Sequence, residues 1–234
     1  MTTHITTTHP VRTDVTPVAA ERTSRAWALA GVGAGLAGRG TVVTSGMINA
    51  VYDPDLAGDP DAIVDKLADQ TGAMIAFHSV TMVGVVLMVV FAAGLFRRLR
   101  AASGGASLAP LVAFSGLVGT AVVSVLGAGL NTEFTFALID DESLVDPSNV
   151  AMYNHWIGTI PWLWVLAGLS GLALFAAGRA GAAPRWIGVV GLTLGGLTLL
   201  WGISPLQYMA GMTGPLMVLV VALGFCFGDR AFRR

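Results

Sequence analysis

Four long stretches of the sequence contain no Asp, Glu, Lys or Arg, and this absence of charge limits what the chain can fold into. They cover residues 70–96, 101–132, 147–178 and 186–228. A helix of about 20 apolar residues crosses roughly 30 Å of hydrocarbon, so the last stretch is long enough for two crossings. Residues 26–50 form a further apolar segment that only Arg39 interrupts. Apolar residues make up 54% of the chain and charged residues 12%, which is unlike a soluble domain.

The pattern predicts an all-α fold, a polytopic membrane bundle of six transmembrane helices within residues 26–228. The predicted helices span residues 26–48, 73–96, 109–131, 152–177, 185–203 and 209–228. Residues 1–25 are polar and rich in threonine, and they predict a disordered cytoplasmic tail. Residues 229–234 predict a short basic end on the same side of the membrane.

Basic and acidic residues occupy different connections between the predicted helices. Arginines lie in the N-terminal tail, at the second and fourth connections and in the C-terminal end. In that order they are Arg12, Arg22 and Arg25; Arg97, Arg98 and Arg100; Arg179 and Arg185; and Arg230, Arg233 and Arg234. The first and third connections are acidic, with Lys66 as their only basic residue. Because basic loops stay in the cytoplasm, we expect both termini to be cytoplasmic in the cell inner membrane.

The first acidic connection also predicts a short surface helix. Asp59 is suited to an N-cap and Pro60 to the first helical position. Ile63, Val64 and Leu67 follow at spacings that give this helix one apolar face.

The glycine-rich run "GAGLAG" at residues 33–38 matches the dinucleotide-binding fingerprint in its letters only. That fingerprint requires a preceding strand, whereas this run lies inside a predicted membrane helix. Gly31, Gly35 and Ala37 instead have the spacing of small residues that let membrane helices approach closely.

A set of polar and aromatic residues is predicted near the outer ends of the helices. Ionisable groups within a bilayer cost a few kcal/mol each and generally face the bundle interior. The candidate ligand-binding residues are Arg39, Asn131, Asn154, His155 and Trp156, and the candidate catalytic residues are His78 and Glu133. We expect Arg39 to have a buried partner, either Glu133 or a bound anion, and Pro161 to kink the fourth helix and open a cavity.

The leading functional hypothesis is an outward-facing polar pocket that binds a small molecule or lipid. One alternative is an enzyme in which His78 or Glu133 acts as acid or base on a lipid or isoprenoid while Arg39 holds an anionic head. Another is a haem protein with His78 and His155 as axial ligands. A structural or accessory membrane subunit is the last alternative, and the cofactor question stays open.

Metal clusters and disulfides are not expected. Cys226 is the only cysteine, and the acidic run at residues 53–61 lacks the ligand spacing of a calcium loop. The expected partners are the lipid bilayer and a lipid or small-molecule ligand, with no nucleic acid, and the pattern allows an oligomer.

Three segments together resemble a known group of proteins: "APRWIGVVGLTLGG" at residues 183–196, "AFHSVTMVG" at 76–84 and "GLNTEF" at 129–134. They are similar to an uncharacterised family of six-helix integral membrane proteins of high-GC bacteria. The resemblance implies the six-helix fold over most of residues 26–228, and it implies no activity.

Overall fold

The computed structural model describes residues 24–140 and 145–229, and every regular element in those ranges is helical. The α-helices are α1 (Ala26–Gly46), α2 (Pro60–Ala68), α3 (Thr71–Ala102), α4 (Ala109–Asp140), α5 (Pro147–Ile157), α6 (Val165–Arg179), α7 (Arg185–Val190), α8 (Gly196–Ile203) and α9 (Ala210–Gly228). A π-helical segment, Gly191–Gly195, joins α7 to α8. Most of the predicted tail and of the basic C-terminal end lies outside the described residues.

Five helical segments are long and apolar enough to cross a membrane. They are Thr71–Ala102, Ala109–Asp140, Pro147–Arg179, Arg185–Ile203 and Gln207–Gly228. The prediction of an all-helical, membrane-compatible fold is therefore confirmed. The α1 helix, which carries Arg39 and six glycines, is not one of the five, so the sixth crossing stays a prediction.

Several predicted helix boundaries differ from the structure: α3 continues to Ala102 instead of ending at 96, and α5 begins at Pro147 instead of 152. Two further differences affect the predicted site. The α4 helix continues to Asp140 instead of ending near residue 131, so Glu133 lies within a helix and not at its end. The fourth predicted helix is interrupted between α5 and α6, where Ile160–Trp162 forms a 3-10 turn. Because proline lacks a backbone N–H and its ring collides with the preceding turn, Pro161 favours this interruption, and the predicted kink is confirmed.

Small residues let α1 pack closely against α3 and α9. A Cβ atom added at Gly35 would lie 2.7 Å from the backbone nitrogen of Leu219 in α9. At the N-terminal end of α1, the Trp27 ring lies between Phe91 of α3 and Phe225 of α9, with centroid distances of 5.9 and 5.4 Å. The glycine run of α1 therefore serves helix packing, as the sequence predicted.

The connection between α1 and α3 folds over one end of the bundle, and we call residues 47–70 the cap. Asp59 caps α2 by accepting a hydrogen bond from the Ala62 backbone N–H at 3.1 Å, as predicted. The apolar face of α2 is buried in a second core that includes residues of α3, α4 and α5. This core fixes the cap against the helix ends that carry most of the predicted site residues.

Candidate functional site

A cavity of about 380 Å³ lies between α4 and α5 at the end of the bundle that carries the cap. It is lined by Leu130, Glu133, Phe134, Val145, Asp146, Asn149, Met152, Tyr153 and Trp156. The lining residues of each helix share one face, since they follow its first lining residue by three, four or seven positions. We call this space the α4–α5 cavity.

The start of α5 is fixed by Asp146, which accepts hydrogen bonds from the backbone N–H groups of Ser148 (2.8 Å) and Asn149 (3.2 Å). Pro147 follows at the first helical position, where a backbone N–H would have no partner within the helix, so its absence costs no hydrogen bond. The Asp146 carboxylate is therefore partly used as a helix cap. Glu133 is exposed at the cavity and has no ion-pair partner among the described residues.

One wall of the cavity is aromatic and held in place from behind. The rings of Phe134 and Tyr153 stack with centroids 4.5 Å apart. The Tyr153 hydroxyl donates to the Asn131 side-chain oxygen at 2.7 Å, and the Asn131 amide donates to the Met74 carbonyl at 3.0 Å. Because these bonds connect α3, α4 and α5, they fix the orientation of Tyr153 beside the cavity.

Asn154 joins α5 to the cap. It is fully buried. Its side-chain oxygen accepts from the Val51 backbone N–H at 2.8 Å, and its amide donates to the Ile48 carbonyl at 2.7 Å. Both polar ends of Asn154 are thus bonded within the protein.

His78 is directed from α3 towards α4. Its Nδ1 atom lies 2.9 Å from the Thr132 hydroxyl and 3.2 Å from the Ala128 carbonyl. Thr132 and Glu133 are consecutive on α4 and therefore project about 100° apart on the helix. His78 accordingly meets the Thr132 side of α4, whereas Glu133 faces the α4–α5 cavity.

His155 is exposed and has different neighbours from His78. Its ring makes an edge-on contact with the Tyr52 ring of the cap, with centroids 5.7 Å apart. Partial burial, with a smaller contribution from Tyr208, raises the pKa of the Tyr52 phenol above its usual value. Tyr52 therefore remains a neutral hydrogen-bonding group beside His155 through the physiological pH range.

Arg39 lies on α1 about seven residues before the helix ends, or about 10 Å along the axis. It is partly buried, and its guanidinium lies 4.0 Å from the Met212 sulfur in α9. No ion pair between Arg39 and Glu133 occurs in the described residues. The alternative partner, a bound anion, stays a prediction.

The structure thus brings only part of the predicted set together. Glu133 and Trp156 line one cavity, with Asn131 behind its wall, whereas Arg39, His78 and His155 are not among the residues that line it. The two imidazoles have separate neighbours, and His78 contacts Thr132 whereas Glu133 lines the cavity. The haem and enzyme alternatives stay predictions. Among the described residues, no group of three or more His, Cys, Asp or Glu side chains is arranged to hold a metal ion.

Several lining residues were not predicted from the sequence, notably Phe134, Asn149 and Met152. Helical spacing was the available signal, because residues 149, 152, 153 and 156 follow the i, i+3, i+4, i+7 pattern of one helix face. This signal was missed because α4 was predicted to end near residue 131 and the next helix to begin at 152.

Comparisons of the chain with protein-family models, curated proteins and solved structures gave no match. The resemblance to the six-helix family therefore stays a prediction.

Proposed function

We propose that the protein is a six-span protein of the cell inner membrane whose α4–α5 cavity opens outwards and binds an amphipathic small molecule or lipid. The single observation that supports this proposal is the cavity itself, which combines apolar walls with an acidic rim. Its volume of about 380 Å³ is within the roughly 300–1,000 Å³ range of small-molecule sites.

The proposed topology counts α1 as the sixth crossing. Its 21 residues extend about 31 Å, close to the thickness of the hydrocarbon core. It packs lengthwise against α3 and α9, two of the apolar spans. With six crossings, both termini lie on the side of the arginine-rich connections, which is the cytoplasm by the positive-inside rule.

The charges of the cavity define the chemistry of the proposed ligand. Glu133 and Asp146 line it, and none of its described lining residues is Lys or Arg. The polar end of the ligand therefore carries hydrogen-bond donors or a positive charge, which an ionised carboxylate binds well. Its apolar part lies against Met152 and the half-exposed Trp156 ring.

A matched pair of alkyl probes tests this assignment. Decylamine, a cation at neutral pH, should raise the thermal unfolding temperature of the detergent-purified protein, whereas decanoate should not. Glu133→Gln should weaken the decylamine effect about tenfold in concentration, since it removes a charge-assisted hydrogen bond.

The control is Asp140→Asn, which removes an exposed acid from the end of α4 outside the cavity lining. This variant should respond to decylamine as the wild type does. Equal stabilisation by the two probes, or equal losses in the two variants, would contradict the proposal. Mass spectrometry of lipids extracted from the wild type and from Glu133→Gln would then identify the natural ligand class.

A further inference from the structure

A second cavity, of about 930 Å³, lies at the opposite end of the bundle from the cap. The C-terminal part of α3, the connection before α7 and the end of α9 meet there. It is lined by Arg98, Gly181, Ala183, Pro184, Arg185, Trp186, Gly228 and Asp229. We call it the arginine cavity, and none of its described lining residues also lines the α4–α5 cavity.

Arg98 is held rigidly at the base of this cavity. Its Nε and Nη2 atoms donate to the two carboxylate oxygens of Asp229 at 2.6 and 3.0 Å, and its Nη1 donates to the Ala182 carbonyl at 3.1 Å. The Arg98 side chain is 17% exposed and that of Asp229 only 3%. A guanidinium has five N–H groups, so two remain to bind another acceptor.

Arg185 adds a second guanidinium that is exposed and lines the same cavity. Among the described lining residues, Asp229 is the only acid, and it accepts two bonds from Arg98. Within that described lining, one positive charge therefore remains without compensation. Planar guanidinium groups suit phosphate oxygens particularly well, because two N–H groups can bond two oxygens at once.

The backbone around the cavity is fixed before any ligand arrives. Gly181 has a φ of +79°, the left-handed conformation that glycine adopts without strain. The Ala182 N–H returns to the Ala177 carbonyl at 2.9 Å, which closes the end of α6. The connection therefore holds the Ala182 carbonyl beside Arg98 and fixes the backbone just before Arg185.

Trp186 lines the cavity and is also about half exposed at the surface beside it. Its ring lies against α9, where a Cβ at Gly228 would be 2.7 Å from the indole. Trp186, Val189 and Leu192 are all exposed, at three-residue spacing along one helix face. Tryptophan near the end of a span is typical of the membrane–water interface, so the proposed topology puts the cavity at headgroup depth, next to this apolar face.

We propose that the arginine cavity binds the phosphate group of an anionic phospholipid, whose acyl chains lie along the exposed face formed by Trp186, Val189 and Leu192. Arg185 and the two remaining N–H groups of Arg98 contact the phosphate oxygens. This site is independent of the α4–α5 cavity, and under the proposed topology it faces the cytoplasmic leaflet, where basic pockets between helices bind anionic headgroups.

Native mass spectrometry of the full-length protein in detergent tests the proposal with three additives at equal concentration. These are phosphatidylglycerol, phosphatidylcholine with the same acyl chains, and inorganic phosphate. Phosphatidylglycerol should bind most tightly, and inorganic phosphate alone should leave no bound mass. Arg185→Gln should weaken phosphatidylglycerol binding about fivefold, the effect of one basic residue near a membrane surface.

The matched control is Arg179→Gln, which removes an exposed arginine at the end of α6 that is not among the cavity-lining residues. Its binding of phosphatidylglycerol should stay within about twofold of the wild type. Equal losses in the two variants would show a general effect of surface charge and overturn the site. Equal binding of the two lipids would also overturn it, and binding of inorganic phosphate as tight as that of phosphatidylglycerol would replace the lipid with a simple anion.

Discussion

Two buried asparagines have a structural role that their residue type and position along the chain did not reveal. The sequence grouped Asn131 and Asn154 with the ligand-binding residues because both lie at the same end of the bundle. In the structure, the side-chain oxygen and amide of each are bonded to other protein groups. We therefore infer that they act as positioning residues, with Asn131 orienting Tyr153 and Asn154 holding the cap.

Asn154→Ala should destabilise the protein by about 3 kcal/mol. The substitution leaves the Val51 N–H and the Ile48 carbonyl without their partner in a fully buried setting, and each such group costs about 1–3 kcal/mol. Unfolding by denaturant in detergent would measure the change. Asn49→Ala is the control, because Asn49 is exposed and its bonds with Gln70 lie at the surface. That variant should lose no more than about 0.5 kcal/mol, and a similar loss in both would disprove the role of Asn154.

At the scale of the helices, the sequence predicted the elements well and their interruptions less well. Long apolar runs identify the spans because the bilayer requires them. A single charge such as Glu133 does not end a helix, however, because glutamate is itself a good helix former. The α4 helix accordingly continues to Asp140. The break at Pro161 was predictable, since proline acts locally on the backbone.

The contact between α1 and α9 depends on the absence of a side chain at Gly35. Gly35→Ala should destabilise the protein by about 1–3 kcal/mol, because the added Cβ would lie 2.7 Å from the Leu219 backbone and force the two helices apart. Thermal unfolding in detergent would measure the shift. Gly46→Ala, at the end of the same helix, has no atom within 4 Å of the added Cβ and should be neutral or slightly stabilising. Equal effects of the two substitutions would contradict close α1–α9 packing.

For the molecule as a whole, the sequence places residues along the membrane normal but not around each helix. Arg39, His78, Glu133 and His155 were all predicted near one end, and depth alone suggested a shared pocket. The direction in which a side chain points depends on how its helix is oriented about its own axis against its neighbours. His78 contacts Thr132, whereas the His155 ring contacts Tyr52. The α4–α5 cavity arises from tertiary packing of two helix faces, and so no local pattern specified it completely.

The proposed six-span topology can be tested with single cysteines in a Cys226→Ala background. Asp55 of the cap, Ala106 between α3 and α4, and Ser24 before α1 are all exposed. In intact cells, an impermeant maleimide should label Asp55→Cys and leave Ala106→Cys and Ser24→Cys unlabelled, because arginine-rich connections stay in the cytoplasm. After permeabilisation all three should label, which controls for accessibility.

Labelling of Ala106→Cys but not Asp55→Cys in intact cells would reverse the orientation. Labelling of both Ser24→Cys and Asp55→Cys would mean that α1 does not cross, and the protein would then have five spans.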